Sequence, residues 1–241
     1  VVPATDCVVA CASVAPKGNK KYVALTFDEG PSGATKQILQ VLKEKGVTAT
    51  FFLSGDAAEA SPATAKAIVD AGCEVGSNSY RDESLKGQDR DAVREQISKG
   101  TEAIKSATGV KTMLLRAPYA AFDEQNWIDA MDLVSAVVSW NIDSGDWLLN
   151  GADEQVSTVL DSVTPGNIVL LTDSDECAEQ TLVALPQIID GLIADGYKIV
   201  TLSDLVKTDT ALSKKLTSLT KVTMPKDAVF PQLAEDEDTT E

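Results

Sequence analysis

Residues 22–32 read YVALTFDEGPS, a β-rich run that stops at the carboxylates Asp28 and Glu29 and then at a glycine and a proline. β-Branched and aromatic residues favour a strand, and a glycine–proline pair ends it. The stretch therefore predicts a buried strand over 22–27 that brings two adjacent carboxylates to its end.

Outward from this stretch, strand-like and helix-like segments alternate along the chain. The run NIVLL at 167–171 is typical of a strand buried on both faces, and Gly46, Gly72 and Gly196 stand just past predicted helices. This alternation predicts parallel βα units, and about seven of them fit a barrel or a doubly wound sheet. The predicted strands are 22–27, 49–53, 74–77, 112–115, 135–140, 167–171 and 198–202; the predicted helices are 35–45, 62–71, 89–107, 124–133, 153–163, 179–194 and a short final helix capped by Ser203.

The alternating pattern covers residues 21–207, which we assign to one α/β domain. Because the chain begins at Val1 rather than at a methionine and no targeting segment is visible, we expect a trimmed or mature product. The remaining segments are a lead-in at 1–20 and an extension at 208–241, with a short helix expected near 212–219 and an acidic run at 235–238.

Charge and composition exclude several classes of partner. The chain has 241 residues and carries 21 basic against 37 acidic side chains, a net charge of −16. A nucleic-acid-binding protein is expected to show a basic patch, and an anionic membrane surface repels an acidic protein, so we expect neither partner. No apolar run approaches the roughly 20 residues of a membrane-spanning helix. The sequence leaves the oligomeric state open.

Histidine is absent from the whole sequence, so no imidazole is available as a metal ligand, base or acid. The cysteines are Cys7, Cys11, Cys73 and Cys177. Four cysteines allow three pairings, and the sequence does not choose among them. Without histidine or a second close pair, Cys7 and Cys11 do not make a zinc-binding pattern. We expect one surface disulfide or buried free thiols.

Polar side chains follow the predicted strands, at the edge where parallel α/β folds place their chemistry. Each residue taken alone is compatible with a helix cap or a loop ion pair. Five strand ends that carry such residues together predict a binding or catalytic cleft. The residues are Asp28 and Glu29 after the first strand, Asn78, Tyr80 and Asp82 after the third, Arg116 and Tyr119 after the fourth, Asn141, Asp143, Asp146 and Trp147 after the fifth, and Thr172 and Asp173 after the sixth.

The chemistry of these side chains suggests a role for each. One carboxylate of the Asp28–Glu29 pair can act as a base, and Arg116 can keep a carboxylate ionised through a bidentate contact. Asp146 can orient a neighbouring group. Tyr119 and Trp147 can supply apolar walls with polar edges, as many sugar-binding clefts require.

Several short motifs also carry a family resemblance. Their residues and their order are similar to those of the polysaccharide deacetylases of carbohydrate esterase family four, and the resemblance covers residues 21–207. It implies a distorted (β/α) barrel and the metal-assisted removal of acetyl groups from a polymer of acetylated sugars. The matching segments are TFDEGPS at 26–32, ATFFL at 49–53, RAPY at 116–119, DSGDW at 143–147, IVLL at 168–171, GYK at 196–198 and TLSDL at 201–205.

The resemblance implies roles for the residues that match. Asp28 stands at the position of the general base, and Arg116 at the position of the residue that steadies it, so we expect the two to pair inside the barrel rim. The backbone N–H of Tyr119 would join the oxyanion hole. Asp146 would tune the catalytic acid, and Trp147 would line the groove.

The metal-binding and acid positions depart from the family pattern. Glu29 stands where the family has a metal-binding aspartate, Asn78 and Asp82 where it has two metal-binding histidines, and Thr172 where it has a histidine acid. Zinc prefers nitrogen and sulfur ligands, so this oxygen-only set disfavours zinc. It suits Mg²⁺, Ca²⁺ or Mn²⁺ better, or no metal. The hydroxyl of Thr172 cannot protonate a leaving amine.

Two classes of function follow from these departures. The loss of three histidine positions favours a non-catalytic carbohydrate-binding or scaffold domain. The alternative is a working hydrolase with an oxygen-only metal site and a buried carboxylic acid, such as Asp173, in place of the histidine. A protein-interaction module that uses the terminal segments is a third option. The resemblance implies an acetylated polysaccharide or oligosaccharide as partner and an extracellular or cell-envelope location.

Overall fold

The computed structural model describes residues 20–209, and within this range eight strands and eight α-helices follow one another along the chain. The strands are β1 Tyr22–Glu29, β2 Thr50–Leu53, β3 Glu74–Ser77, β4 Leu114–Leu115, β5 Ala136–Val137, β6 Ile142–Asp143, β7 Ile168–Thr172 and β8 Lys198–Ile199. The helices are α1 Thr35–Lys45, α2 Gly55–Ala60, α3 Pro62–Asp70, α4 Arg90–Thr108, α5 Glu124–Ala130, α6 Ala152–Ser162, α7 Ala178–Ala194 and α8 Leu202–Thr208.

All strand pairs in this sheet are parallel, in the order β5-β4-β3-β2-β1-β7-β6, and β8 pairs with the start of β1. In the part of the chain that the structure describes, no ladder joins β5 to β6, so the curled sheet stays open between them. This architecture is the distorted barrel that the family resemblance implied. The longest strand, β1, lies between β2 and β7 in this order and carries the stretch YVALTFDE.

Local sequence signals were sufficient for the longer elements. Helix α1 has the predicted bounds and ends at Gly46, whose φ of 67° is a left-handed conformation that glycine adopts without a steric penalty. Strand β3 also has the predicted bounds. All five residues of β7 are buried, as expected for an apolar strand covered on both faces.

The structure corrects several predictions. The predicted strands 112–115 and 198–202 are ordered as strands only at β4 and β8, and the predicted helix 124–133 ends with α5 at Ala130. The predicted strand 135–140 is ordered as a strand only at β5, and β6 follows it as a separate short strand. Helix α2 was not predicted, because it is six residues long and begins with a glycine. The cap of α8 is Thr201, whose hydroxyl oxygen accepts the N–H of Asp204. Ser203 lies inside α8, where its hydroxyl donates to Glu74 instead.

The hydrophobic core has two layers because apolar side chains alternate along β1. Leu25 and Phe27 pack in a cluster that includes side chains of α1 and α7, whereas Ala24 belongs to a second cluster with Phe52 and Leu170. Burying one large apolar side chain stabilises the fold by about 1.5–3 kcal/mol, so these two clusters supply most of the driving force for folding.

The two ends of the barrel differ in how they are filled. At the end where β2 and β3 begin, the backbone N–H groups of Leu202 and Ser203 donate to the side chains of Thr50 and Glu74, so the start of α8 packs there. The opposite end is where the strands finish. The polar residues singled out in the sequence lie at that second end.

Some expectations concern residues that lie outside the described range of 20–209. These are the lead-in, most of the C-terminal extension, the short helix near 212–219, and any pairing of Cys7 or Cys11. Within the range, Cys73 and Cys177 are buried free thiols. None of the helices in it combines the length and the apolar character that crossing a membrane requires.

Candidate active site

The site is built around an ion pair between Arg116, which follows β4, and Asp28, which lies near the end of β1. Arg116 Nη1 donates to Asp28 Oδ1 at 2.7 Å and to Thr26 Oγ1 at 2.7 Å. Its other nitrogens donate to the backbone oxygens of Val138, at 3.3 Å, and Ser139, at 3.0 Å. The predicted pairing of Arg116 with Asp28 is therefore confirmed, while the role of Asp28 as a base stays a prediction.

The side chains of this pair are largely buried. Arg116 is 0% exposed, and its guanidinium lies 4.1 Å from the centre of the Phe52 ring. A charge buried this deeply is tolerated only when it is paired and hydrogen-bonded. Burial raises the pKa of Asp28 to about 6, although the charge of Arg116 acts in the opposite direction. A carboxyl with such a pKa is suited to accepting a proton near neutral pH.

The position beside this pair holds a carboxylate in an unusual backbone conformation. Glu29 has φ of 75°, in the left-handed region that residues with a side chain rarely adopt. Its pKa is raised to about 7 by burial and by the negative charges of Asp82, Asp28 and Asp146. Asp82 itself accepts a hydrogen bond from the hydroxyl of Tyr119 at 2.5 Å. The charge of Asp82 therefore acts on Glu29, and the grouping of the two residues in one metal site stays a prediction.

Asn78 is buried at the end of β3, but its side chain faces a protein partner. Its Nδ2 donates to the backbone oxygen of Arg116 at 2.9 Å, and its own N–H donates to the oxygen of Leu53. The amide of Asn78 therefore ties the end of β3 to the start of the loop after β4. The structure assigns this side chain a supporting contact at a position where the family has a histidine.

These residues do not fit the zinc ion that the family resemblance implies. Within residues 20–209, no three or more carboxylate or cysteine side chains are arranged to hold a metal ion, and the chain has no histidine. Asn78 donates to the backbone, and the carboxylate of Asp82 is bonded to Tyr119. Only oxygen ligands would be offered, whereas zinc prefers nitrogen and sulfur. A site for Mg²⁺, Ca²⁺ or Mn²⁺ at Glu29, Asn78 and Asp82 stays a prediction.

The position of the family's histidine acid is filled by Thr172, which bonds to Asp146. The hydroxyl of Thr172 donates to Asp146 Oδ1 at 2.9 Å, and its N–H donates to Oδ2 at 2.7 Å. Thr181, on α7, also donates to Oδ2, at 3.0 Å, so the carboxylate of Asp146 accepts three hydrogen bonds in all. Burial raises the pKa of Asp146 above its usual value, although these hydrogen bonds act in the opposite direction. Asp146 therefore holds the side chain of Thr172 in place, but the hydroxyl of Thr172 cannot act as an acid near neutral pH.

Asp173, the alternative acid, is also occupied by protein groups. Ser32 donates to its Oδ1 at 2.6 Å and Thr35 donates to its Oδ2 at 2.7 Å, which fixes the loop after β1. Gly30 lies so close that a side chain there would collide with this carboxylate. Burial raises the pKa of Asp173. Both oxygens are nevertheless committed to the loop, so the structure favours a structural role for Asp173.

The two aromatic residues expose their rings at this end of the barrel, and their role as walls of a cleft stays a prediction. Trp147 is 37% exposed, and its Nε1 donates to the two carboxylate oxygens of Asp143 at 3.2 and 3.3 Å. This contact holds the indole edge while the ring remains accessible. Tyr119 is 68% exposed at the same end of the barrel. An anchored, exposed aromatic ring is the kind of surface on which a sugar ring stacks.

Sequence reasoning missed several residues that complete the site. Thr26 and Ser139 bond to Arg116, and Thr181 bonds to Asp146, yet none of them was singled out. The signal that was present is a polar residue at a buried position in an apolar segment, such as Thr26 within YVALTF. Buried polar groups need partners, so such a residue points to an internal hydrogen-bond network.

Comparisons with known proteins identify relatives over this same region. A family model described as polysaccharide deacetylase matches residues 15–134. The chain is 38% identical to the bifunctional xylanase/deacetylase of Pseudobutyrivibrio xylanivorans, over 78% of this chain and 31% of that protein. It is 35% identical to a peptidoglycan-N-acetylglucosamine deacetylase of Bacillus cereus, over 79% of this chain and 70% of that protein. The chain thus spans less than a third of the first relative and most of the second.

A solved structure adds a relative of a different kind. The fold matches that of a CE4 family pseudoenzyme from Bacillus anthracis, with a TM-score of 0.72 and 32% identity, over 78% of this chain and 66% of that chain. A mutant of that protein, described as having restored enzymatic activity, matches with the same TM-score and 34% identity, over 78% of this chain and 68% of that one. The relatives therefore include both deacetylases and a pseudoenzyme. The motifs, the barrel and these relatives together place the chain in the polysaccharide deacetylase family of carbohydrate esterases.

Proposed function

We propose that this domain is a catalytically impaired member of its family that binds acetylated sugar polymers as a carbohydrate-binding or scaffold domain. One observation carries the proposal. The positions of the family's three histidines hold Asn78, Asp82 and Thr172, and each side chain is bonded to another protein group: Asn78 to the backbone of Arg116, Asp82 to Tyr119, and Thr172 to Asp146.

The chemical consequence concerns the leaving group of deacetylation. Cleavage of an N-acetyl group expels an amine, which needs a proton as the C–N bond breaks. General acid–base catalysis of this kind contributes about 10²–10⁴-fold to the rate. The hydroxyl of Thr172 is too weak an acid to supply this proton near neutral pH. A metal that activates the attacking water would contribute further. Without a fitting zinc site and without the acid, we expect a reaction too slow to serve a metabolic role.

The relatives support a carbohydrate partner. Two of them are deacetylases of peptidoglycan N-acetylglucosamine in Bacillus and Listeria, which favours a partner in the cell envelope and an extracellular or envelope location for this chain. The exposed faces of Trp147 and Tyr119 supply the surface for such a ligand. The pseudoenzyme of Bacillus anthracis is a precedent for a family member of this type.

A second candidate function is that of a working hydrolase with an oxygen-only metal site. The observation that favours it is the intact pair of Asp28 and Arg116, together with the raised pKa of Asp28. In that case Asp28 would accept the proton of the attacking water. A carboxylic acid would have to replace the histidine, and Asp173 is bonded through both of its oxygens.

The test measures chemistry and binding on one protein preparation. Protein purified without a chelator is analysed for bound metals, incubated with acetylated chitooligosaccharides for acetate release, and titrated with them by calorimetry. We expect no acetate above background and weak binding that is lost in Trp147→Ala. The control Met131→Ala removes an exposed apolar side chain just past the end of α5 and should leave binding unchanged.

Two results would contradict the proposal. Acetate release at an ordinary enzymatic rate, about 1–10³ s⁻¹, would establish the working hydrolase instead. An absence of binding to acetylated oligomers of chitin and of peptidoglycan would remove the carbohydrate-binding function.

A further inference from the structure

A single side-chain contact joins two loops at the rim of the site. Tyr119 lies in the loop after β4 and Asp82 in the loop after β3, and the two residues are 37 positions apart in the chain. The Tyr119 hydroxyl donates to Asp82 Oδ2 at 2.5 Å, and the backbone oxygen of Asp82 lies 3.4 Å away. The charge of Glu29 acts on Tyr119, and that of Asp82 acts on Glu29. Because β1 ends at Glu29 in the same parallel sheet, the contact lies at the same end of the barrel as Glu29.

The backbone directs Tyr119 outward. Tyr119 and Ala120 have φ of 58° and 53°, two consecutive residues in the left-handed region. Such a conformation is costly for residues with side chains and rarely occurs in succession. The ring is 68% exposed, so little of it is packed against the protein. The hydroxyl contact with Asp82 is consequently the main restraint that the described structure gives to the end of this side chain.

This restraint is well suited to exchange with a ligand. A hydrogen bond to a carboxylate at an exposed position is strong enough to be populated, but water and other hydroxyls compete with it. When the Tyr119 hydroxyl leaves, the carboxylate of Asp82 becomes a free acceptor beside a tyrosine ring that is already exposed. Sugars present both hydroxyl donors and apolar ring faces, which match these two groups.

We propose that Tyr119 gates the groove: its hydroxyl holds Asp82 across the rim in the free protein, and an oligosaccharide binds by displacing it. The proposal rests on the carbohydrate-binding function argued above. A gate of this kind weakens the apparent affinity, because only the open fraction of the protein is competent to bind. The hydroxyl of Tyr119 therefore sets both the affinity and the rate of ligand entry.

The test compares Tyr119→Phe with wild type in binding to an acetylated chitotetraose. Removing the hydroxyl keeps the ring and frees Asp82, so we expect about threefold to tenfold tighter binding. The matched control is Tyr197→Phe, just before β8, which removes a hydroxyl that donates to the backbone oxygen of Val163 at 3.0 Å and should leave the affinity unchanged.

Association rates separate gating from a simple gain in stacking. Asp82→Ala breaks the same contact without altering the ring, so a gate requires faster association in both Tyr119→Phe and Asp82→Ala. Improved stacking alone would slow dissociation in Tyr119→Phe and leave association unchanged, which would overturn the proposal.

The remaining outcomes also distinguish the gate from the function on which it rests. If wild type binds and Tyr119→Phe binds equally or more weakly, the gate is wrong and carbohydrate binding stands. Binding by Tyr119→Phe to a tetraose that wild type does not bind would support the gate strongly. If wild type, Tyr119→Phe and Asp82→Ala all fail to bind acetylated oligomers, the carbohydrate-binding function fails and the gate fails with it.

Discussion

The site has two halves that differ in how closely they match the family. The matching half consists of Asp28, Arg116 and Asp146, and the departing half consists of Glu29, Asn78, Asp82 and Thr172. Two residues of the departing half now complete the hydrogen bonds of the matching half, because Asn78 donates to the backbone of Arg116 and Thr172 donates to Asp146. Positions that carry chemistry in the family therefore serve as structural supports in this chain.

This comparison changes how the matching half is interpreted. Arg116 and Asp146 are both 0% exposed, and removing a partner from either would leave a buried charge or a buried polar group unsatisfied. The contribution of Arg116 and Asp146 to the stability of the fold is therefore enough to explain why both residues are present. The departing half is where the chemical argument is decided, and the four predictions below test the two halves against each other.

The largest effect is expected from restoring the departing half. The variant Glu29→Asp, Asn78→His, Asp82→His and Thr172→His should bind zinc and release acetate from acetylated chitooligosaccharides, because the matching half is already in place. The same variant with Thr172 retained should bind zinc but react about 10²–10⁴-fold more slowly, since only the acid is missing. Zinc analysis and an acetate assay check both points.

Restoration fails as a test of impairment if wild type itself proves active. A restored variant that binds zinc stoichiometrically and still releases no acetate would contradict the comparison between the two halves. In that case the matching half has lost its catalytic geometry as well, and the family resemblance of the site would be structural throughout.

The second largest effect is expected from breaking the matching half. Arg116→Met leaves Asp28 without its partner in the interior, which should lower the free energy of unfolding by about 3–5 kcal/mol. The control is Arg94→Met, which removes a partly exposed arginine bonded to Asp132 at 2.6 Å and should cost much less, because solvent screens an ion pair near the surface. Urea unfolding measures both, and equal costs would mean that burial does not explain the persistence of Arg116.

Much of the fold could be predicted from the sequence, because its longest elements carry strong local signals. Helix α1 is amphipathic and ends at a glycine, and β7 is a continuous apolar run. The errors fall on elements set by tertiary contacts: β5 and β6 are two residues each and exist through their ladders to β4 and β7. Ser203 failed as a cap because Glu74, distant in the chain, competes for its hydroxyl.

The site was predictable as a set of residue types at strand ends, but its connections were not. The sequence places Asp28 and Arg116 at one end of a barrel, and a carboxylate beside a guanidinium predicts their pairing. No local pattern indicates that Tyr119 reaches Asp82, or that Thr181, in α7, bonds to Asp146. Such contacts depend on side-chain directions across loops, which a single sequence does not encode locally.

A smaller effect is expected from the support of Asp146. Thr181→Val keeps the shape of the side chain but removes one of the hydrogen bonds to a buried carboxylate, which should cost about 1.5–3 kcal/mol. The control is Thr101→Val on α4, whose hydroxyl bonds only to the preceding turn of its own helix. Thermal or urea unfolding compares the two. A cost no greater than that of the control would show that Thr172 alone supports Asp146.

The smallest effect is expected from the charge of Glu29, and it depends on pH. Because burial and neighbouring carboxylates raise the pKa of Glu29 from 4.5 to about 7, the folded protein holds a proton there that the unfolded chain has already lost. Stability therefore falls as the pH rises from about 4.5 to 7. Glu29→Gln removes this loss, so the variant should gain about 1 kcal/mol relative to wild type at pH 8, after allowance for partial exposure, and nothing at pH 4. Glu95→Gln, on the exposed face of α4, serves as the control in urea unfolding at both pH values. A gain of equal size at pH 4 and pH 8 would mean that the effect does not come from the ionisation of Glu29, and that the departing half carries no uncompensated charge.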